Sequence, residues 1–397
     1  MSIIAAFCVV LIILTAGDLV SAKTKAFIPS VFISAILFLV GFWTILPKDL
    51  IEISSLGMPF ALLAMYLLIT HMGTMMSISE LVGQWKTIVI ALMGTVGLCI
   101  ATMTIGVMLF GREAVVAATP PLTGGIVAAI VMSDAAAAKG LEDIAVLAIL
   151  MYVMQGFAGY PITAYCLKKE GNRLLTLFRK GEMKLEKDSS NEEAIAIKAT
   201  KNKLRIFPPL PEKYQTTYMY LAKLGLVAWG AVVFASVTHE IVSKYVICLI
   251  FGVIASEIGF LERKPLNLSG SFGWLMTSLM AYIFAQLSKA TPEMLSKIVI
   301  PLVGIIIIGV SGMGVFSIIA GKKLGYSKEM AFAVACTALY GFPPNYILTD
   351  EASKALAENA EEKEFLMAQM LPKMLVGGFT TVTIVSVIVA GIFIRMM

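Results

Sequence analysis

Two carboxylates of this apolar sequence stand out, one in each half. Asp134 closes the run IVAAIVMSD from Ile126, and Asp350 closes NYILTD from Asn345. An acid at membrane depth is costly and marks function by default. It would accept a substrate ammonium group, ligate a coupling cation or carry a proton. Lys139 and Lys354 follow within five residues, so each acid also fits a plain solvated charge near an interface. The sequence leaves both alternatives open.

Upstream of each acid the chain is interrupted, by PPLTGG from Pro120 and by YGFPP from Tyr340. Proline lacks the amide donor and clashes with the preceding turn, and glycine costs helix entropy. Each piece, near 113–140 and near 328–357, therefore reads as helix, break, helix, with arms too short to span. In lipid the freed backbone groups cost several kcal/mol each unless protein or a water-filled cavity surrounds them. Such breaks belong at a cavity. The amides opening each second arm suit a carboxylate, and carbonyls or hydroxyls at the same tips suit Na⁺. Ser133 with Asp134, Thr349 with Asp350, and Ser311 in the run GVSGMG are the candidates for cation coupling.

The elements that must hold these pieces are membrane helices. Of 397 residues 58% are apolar and only 14% charged, with a mean hydropathy of +0.88, where soluble domains carry about a quarter charged residues. Ten apolar stretches approach the ~20 residues that cross a bilayer: 2–20, 27–46, 56–75, 87–110, 143–166, 218–239, 243–260, 272–290, 298–320 and 366–394. The five cysteines contain no CxxC, and the two histidines, His71 and His239, stand far apart. No metal centre or cofactor is expected beyond Na⁺ as coupling ion.

One hydrophilic segment, 167–216, divides the chain, with twelve basic residues against seven acidic ones. Its excess of five equals the net charge of the whole chain, which fits a cytoplasmic linker under the positive-inside rule rather than a nucleic-acid surface. Ten spans threaded from this anchor put both termini outside. The halves 1–166 and 217–397 would then have opposite orientation. They also repeat: IVIALMG from Ile88 returns as IVIPLVG from Ile298, with seven identities over 24 positions. Further on, Gly125 matches Gly341, Asp134 matches Asp350, and Gly156–Phe157 match Gly378–Phe379. The expected fold class is an all-α polytopic membrane protein of two inverted five-helix repeats, each with a re-entrant hairpin.

The runs AFIPSVFISAILFLVG from Ala26, LTGGIVAA from Leu122, the Gly156–Phe157 span and TALYGFPPNYILTDEA from Thr337 resemble the bacterial sodium/glutamate symporter family. The chain is more distantly similar to the citrate/sodium symporters. The likeness covers nearly the whole chain in order, and it is remote. It implies two inverted repeats with hairpins, a homodimer in the cell inner membrane, and Na⁺-coupled transport of a carboxylate-bearing substrate by an elevator-like motion. It also implies substrate contacts at Thr123, Gly124 and Gly125 in the first tip and at Tyr340, Gly341, Pro343 and Asn345 in the second. The first tip here runs into IVAAIV and the second carries PPNY, where the family is smaller or more polar. Architecture therefore transfers more directly than glutamate does. The expected function is a secondary active transporter, a Na⁺ symporter of a small amino acid or organic carboxylate. A cation/proton antiporter using the hairpin aspartates is the alternative. An intramembrane enzyme is disfavoured, since no nucleophile elbow or Asp/His set occurs.

Overall fold

A computed structural model describes residues 1–76, 78–183, 206–208, 211–238 and 244–397. Residues 184–205 of the expected linker, and His239, lie outside the described residues. Among the described residues every regular element is helical. In chain order the principal helices of the N-terminal half are α1 (Ile3–Lys23), α2 (Ser30–Thr44), α3 (Met58–Gly73) and α4 (Trp85–Ala101). They are followed by α5 (Arg112–Leu122), α6 (Ile126–Ala138), α7 (Glu142–Met154) and α8 (Gly156–Arg179). The C-terminal half has α9 (Thr217–Val237), α10 (Lys244–Glu257), α11 (Phe272–Ala285), α12 (Pro292–Leu324), α13 (Lys328–Cys336), α14 (Pro344–Leu356), α15 (Ala360–Phe379) and α16 (Ser386–Phe393).

Six helical stretches among the described residues are long and apolar enough to cross a membrane: Ile3–Lys23, Trp85–Phe110, Glu142–Arg179, Thr217–Val237, Pro292–Leu324 and Ala360–Phe393. This is a helical, multi-pass membrane protein. The other expected spans hold shorter helices; α2, for example, has 15 residues and α10 has 14. Helix α8 continues 13 residues past the expected span end at Cys166 into the linker. Its charged residues from Lys168 onward are good helix formers, so polarity ended the apolar run there without ending the helix.

The helices group into two compact units. The first comprises Met1–Ser55, Gln84–Thr176 and Ala281–Met397, and the second Leu56–Gly83 and Leu177–Met280. Each draws on both halves of the sequence.

In the first unit α4 and α12 pack along one another. Their backbones nearly touch where two glycines meet. A Cβ on Gly97 would stand 2.5 Å from the Gly312 carbonyl oxygen, and one on Gly312 would stand 2.4 Å from that of Gly97. Lipid supplies no hydrophobic drive between helices, so close approach and van der Waals contact hold them. Two spans also carry π-helical turns, Thr102–Gly106 after α4 and Thr380–Val385 between α15 and α16.

In the second unit α3 crosses α10 in the same manner, Gly252 facing the Thr70 carbonyl and Gly73 the Leu249 carbonyl. Arg263 closes the C-terminus of α3, donating to the carbonyls of Thr74 at 2.9 Å and Met76 at 3.1 Å. It also pairs with Glu257 at 2.9 Å. His71 is fully buried, and its Nδ1 accepts from the Leu266 amide at 3.3 Å.

A side chain at the α4–α12 crossing would overfill it. Gly312→Val is expected to cost about 1–3 kcal/mol, read as a lower midpoint of thermal unfolding in detergent. Gly225→Ala on α9, where a Cβ meets nothing within 4 Å, should leave the midpoint unchanged or raise it. Equal midpoints for the two variants would contradict this account of the crossing.

Candidate functional site

Each broken piece forms two helical arms around a non-helical turn, α5–α6 in the first half and α13–α14 in the second. Arms of 11, 13, 9 and 13 residues reach only about 14–20 Å at 1.5 Å per residue. The breaks themselves arise differently from expectation. Pro120 and Pro121 lie inside the last turn of α5, and the helix stops at Gly124 and Gly125, whose φ values are +94° and +109°. Only glycine adopts such angles without strain. In the second piece Gly341, at φ +65°, makes the turn. Pro344 then opens α14, at a helical position that needs no amide donor.

The two tips meet. A Cβ on Gly124 would fall 2.3 Å from the Ala338 carbonyl oxygen, which belongs to the short 3₁₀ turn Thr337–Leu339 leading into the second break. Both tips also rest on the π-helical turn after α15. Gly124 and Gly341 approach the Val382 side chain, and Gly125 approaches the Val382 carbonyl and Ser386 Oγ. Thr123, Gly124, Gly125, Gly341, Pro343 and Asn345 are buried, and Tyr340 is half-buried.

The backbone groups freed by the first break find partners. Thr123 Oγ1 donates to the Pro120 carbonyl at 2.7 Å. Gln155, at the junction of α7 and α8 and with its amide nitrogen turned toward α5, donates to the Pro121 carbonyl at 3.1 Å and the Leu122 carbonyl at 3.3 Å. Gly125 supplies no side chain to cap α6, so the first-turn amides of that arm receive no side-chain acceptor from it.

At the second tip Asn345 Nδ2 donates to the Met374 carbonyl at 3.1 Å, and its Oδ1 accepts from the Tyr346 amide at 2.8 Å. Gly378 leaves room for that amide, since a Cβ there would stand 2.8 Å from Asn345 Nδ2. Tyr340 donates to Thr163 Oγ1 on α8 at 2.8 Å and lies 5.4 Å from the Tyr160 ring.

Of the seven residues expected at the tips, Gly124, Gly125 and Gly341 converge on Val382, while Thr123, Tyr340 and Asn345 bond to Pro120, Thr163 and Met374. Of the cation-coupling candidates, Thr349 touches a tip residue, Asn345. Asp134 is exposed, nine residues along α6 from Gly125. Asp350 pairs with Lys354 at 2.6 Å and Lys363 at 3.0 Å. Ser133 is half-buried on α6, and Ser311 is exposed with its hydroxyl donating to the Ile307 carbonyl at 2.7 Å. Thr349 is fully buried and donates to the Asn345 carbonyl at 2.7 Å.

Sequence reasoning passed over Ala338 and Val382, which contribute backbone and apolar surface and carry no chemical signature. It also passed over Glu351, the acid beside Asp350. Its carboxylate accepts from Ser21 Oγ at 2.9 Å, from the Ser30 amide at 3.1 Å and from Ser30 Oγ. The available signal was the proline–serine start of α2, which offers amides to an acid. Comparison with protein-family models finds none that matches this chain, and comparison with curated proteins finds no match either.

Gln155→Leu would leave the two α5 carbonyls buried without this donor. Each such group costs about 1–3 kcal/mol, so the variant should unfold at a clearly lower temperature. A midpoint equal to wild type would show that Gln155 does not hold the first tip.

Proposed function

We propose that the protein is a secondary active transporter: a Na⁺-coupled symporter of a small amino acid or organic carboxylate, working by elevator-type alternating access. The observation that carries the reading is the meeting of two non-spanning broken segments, one from each half of the chain, at the Gly124–Ala338 contact. Irregular backbone at membrane depth is kept only where it is buried in protein or lines a water-filled cavity, and paired breaks in related halves are the pattern of carriers.

The further parts of the proposal are two inverted five-span repeats, 1–166 and 217–397, ten spans in all, both termini outside the cell membrane, and a homodimer. Support comes from the order of elements. In each half four apolar helices precede a two-armed hairpin and a final interrupted helix. The interruption falls at Gln155 in one half and at Thr380–Val385 in the other. The remote likeness to sodium/glutamate symporters points the same way.

Substrate would meet the uncapped amides opening α6 together with Thr123, Gly124, Gly125, Gly341, Pro343 and Asn345. Tyr340, bonded to Thr163, holds the second tip in place. Hydroxyl and carbonyl oxygens at the tips supply hard ligands of the kind Na⁺ takes. Proton antiport through Asp134 and Asp350 has less support, because one acid is exposed and the other carries two lysine partners.

The test is uptake into proteoliposomes of labelled amino acids and di- and tricarboxylates, with Na⁺, K⁺ and pH gradients imposed separately. Accumulation of one of them under the Na⁺ gradient is expected. Gly124→Val should then lower uptake roughly ten- to a hundredfold, the equivalent of about 1–3 kcal/mol of backbone strain, with membrane insertion intact. Proton flux without organic substrate, lost in Asp134→Asn and Asp350→Asn, would replace symport by antiport. No movement under any gradient would end the transporter reading.

A further inference from the structure

The second arms of the two hairpins, α6 and α14, align at Asp134 with Asp350 but are held by different forces. On α14 three side chains reach out. Asn345 donates to the Met374 carbonyl at 3.1 Å and Asp350 pairs with Lys363 at 3.0 Å, both on α15. The third is Glu351, whose partners lie 321 and 330 residues away in sequence.

The Glu351 contact is a helix cap supplied from a distance. Ser30 is the first residue of α2, and Pro29 before it gives no side-chain cap. The Glu351 carboxylate takes that place, accepting from the Ser30 amide at 3.1 and 3.3 Å and from the Ser30 and Ser21 hydroxyls. Ser21 and Ser30 are both 5% exposed. A carboxylate at a helix N-terminus gains from the aligned peptide dipoles and from charge-assisted hydrogen bonds.

On α6 the position matching Glu351 is Ala135. Among the described residues no side chain of α6 forms a hydrogen bond or ion pair with another element. Ala128 and Met132 instead pack in an apolar cluster with Val116, Ala117, Ala148, Ala390 and Phe393. The outer face is open, with Val127 50% and Ile130 46% exposed. Apolar contacts are non-directional and permit sliding, whereas hydrogen bonds to a charged group fix a register.

We infer that the second arms of the hairpins are mechanically unequal: Glu351 is a positioning residue that fixes α14 to the start of α2, and α6 is the arm that moves. That its movement opens a substrate site rests on the transporter reading. The inequality of the two arms does not.

Hydrogen exchange followed by mass spectrometry on the full chain in nanodiscs tests this without any transport. The amides of 126–138 are expected to exchange roughly tenfold or more faster than those of 344–356. Glu351→Ala should raise exchange in 344–356 by roughly tenfold or more, as loss of hydrogen bonds to a charged group implies, and leave 126–138 unchanged. Glu351→Gln, which keeps an acceptor oxygen, should restore part of the protection. Where Glu351→Ala does not fold, the double variant Ser21→Ala with Ser30→Ala removes the same bonds from the other side. Equal exchange of the two arms in wild type would overturn the inference. So would a rise spread over both arms, or no rise in any variant. Loss of uptake activity with the exchange pattern intact would count against the transporter reading alone.

Discussion

Lipid offers no hydrogen bonds, so each backbone group freed by a break must be met from within the protein. The arrangement of the hairpins follows from that constraint. Gln155 and Thr123 take the carbonyls at the end of the first arm. Proline at the start of α14 removes a donor that would need a partner. The tips are pressed against each other and against a π-helical turn, where backbone already departs from α geometry. Glycine at 124, 125 and 341 makes this possible, both by its angles and by the lack of a side chain at the contact.

Much of the fold was legible in the sequence because apolar runs and breaks are strong signals in a membrane chain. All ten apolar stretches contain helices, and both interrupted pieces fold as two arms. What misled was the role of the prolines in the first piece. Pro120 and Pro121 stay helical because they sit in the final turns of α5, with Thr123 and Gln155 serving the carbonyls around them. The extension of α8 to Arg179 was hidden for the opposite reason, since charge masks a helix when hydropathy is the only guide.

At the site the sequence pointed to the tips and left the acids open between a functional role and a solvated charge. Asp350 attracted attention through its alignment with Asp134, yet an alignment says nothing of what each side chain meets. Which acid is tied down depends on helix phase. Asp350 and Glu351 are about 100° apart on α14, one turned to Lys354 and Lys363 and the other to Ser21 and Ser30. No local pattern tells which face meets a helix hundreds of residues earlier. The π-helical turn was equally hidden, because TTVTIV reads as ordinary β-branched helix filler.

The cap on α2 has a bearing on how the protein is made. Ser30 leaves the ribosome 321 residues before the acid that completes its helix end. At roughly 5–20 residues per second that is a wait of about 15–65 s in the membrane. Through that interval the first two helices must be kept in place by one another, by lipid and by the insertion machinery. The start of α2 therefore stays without this cap until Glu351 is made, and premature termination anywhere before Glu351 leaves an early helix unfinished.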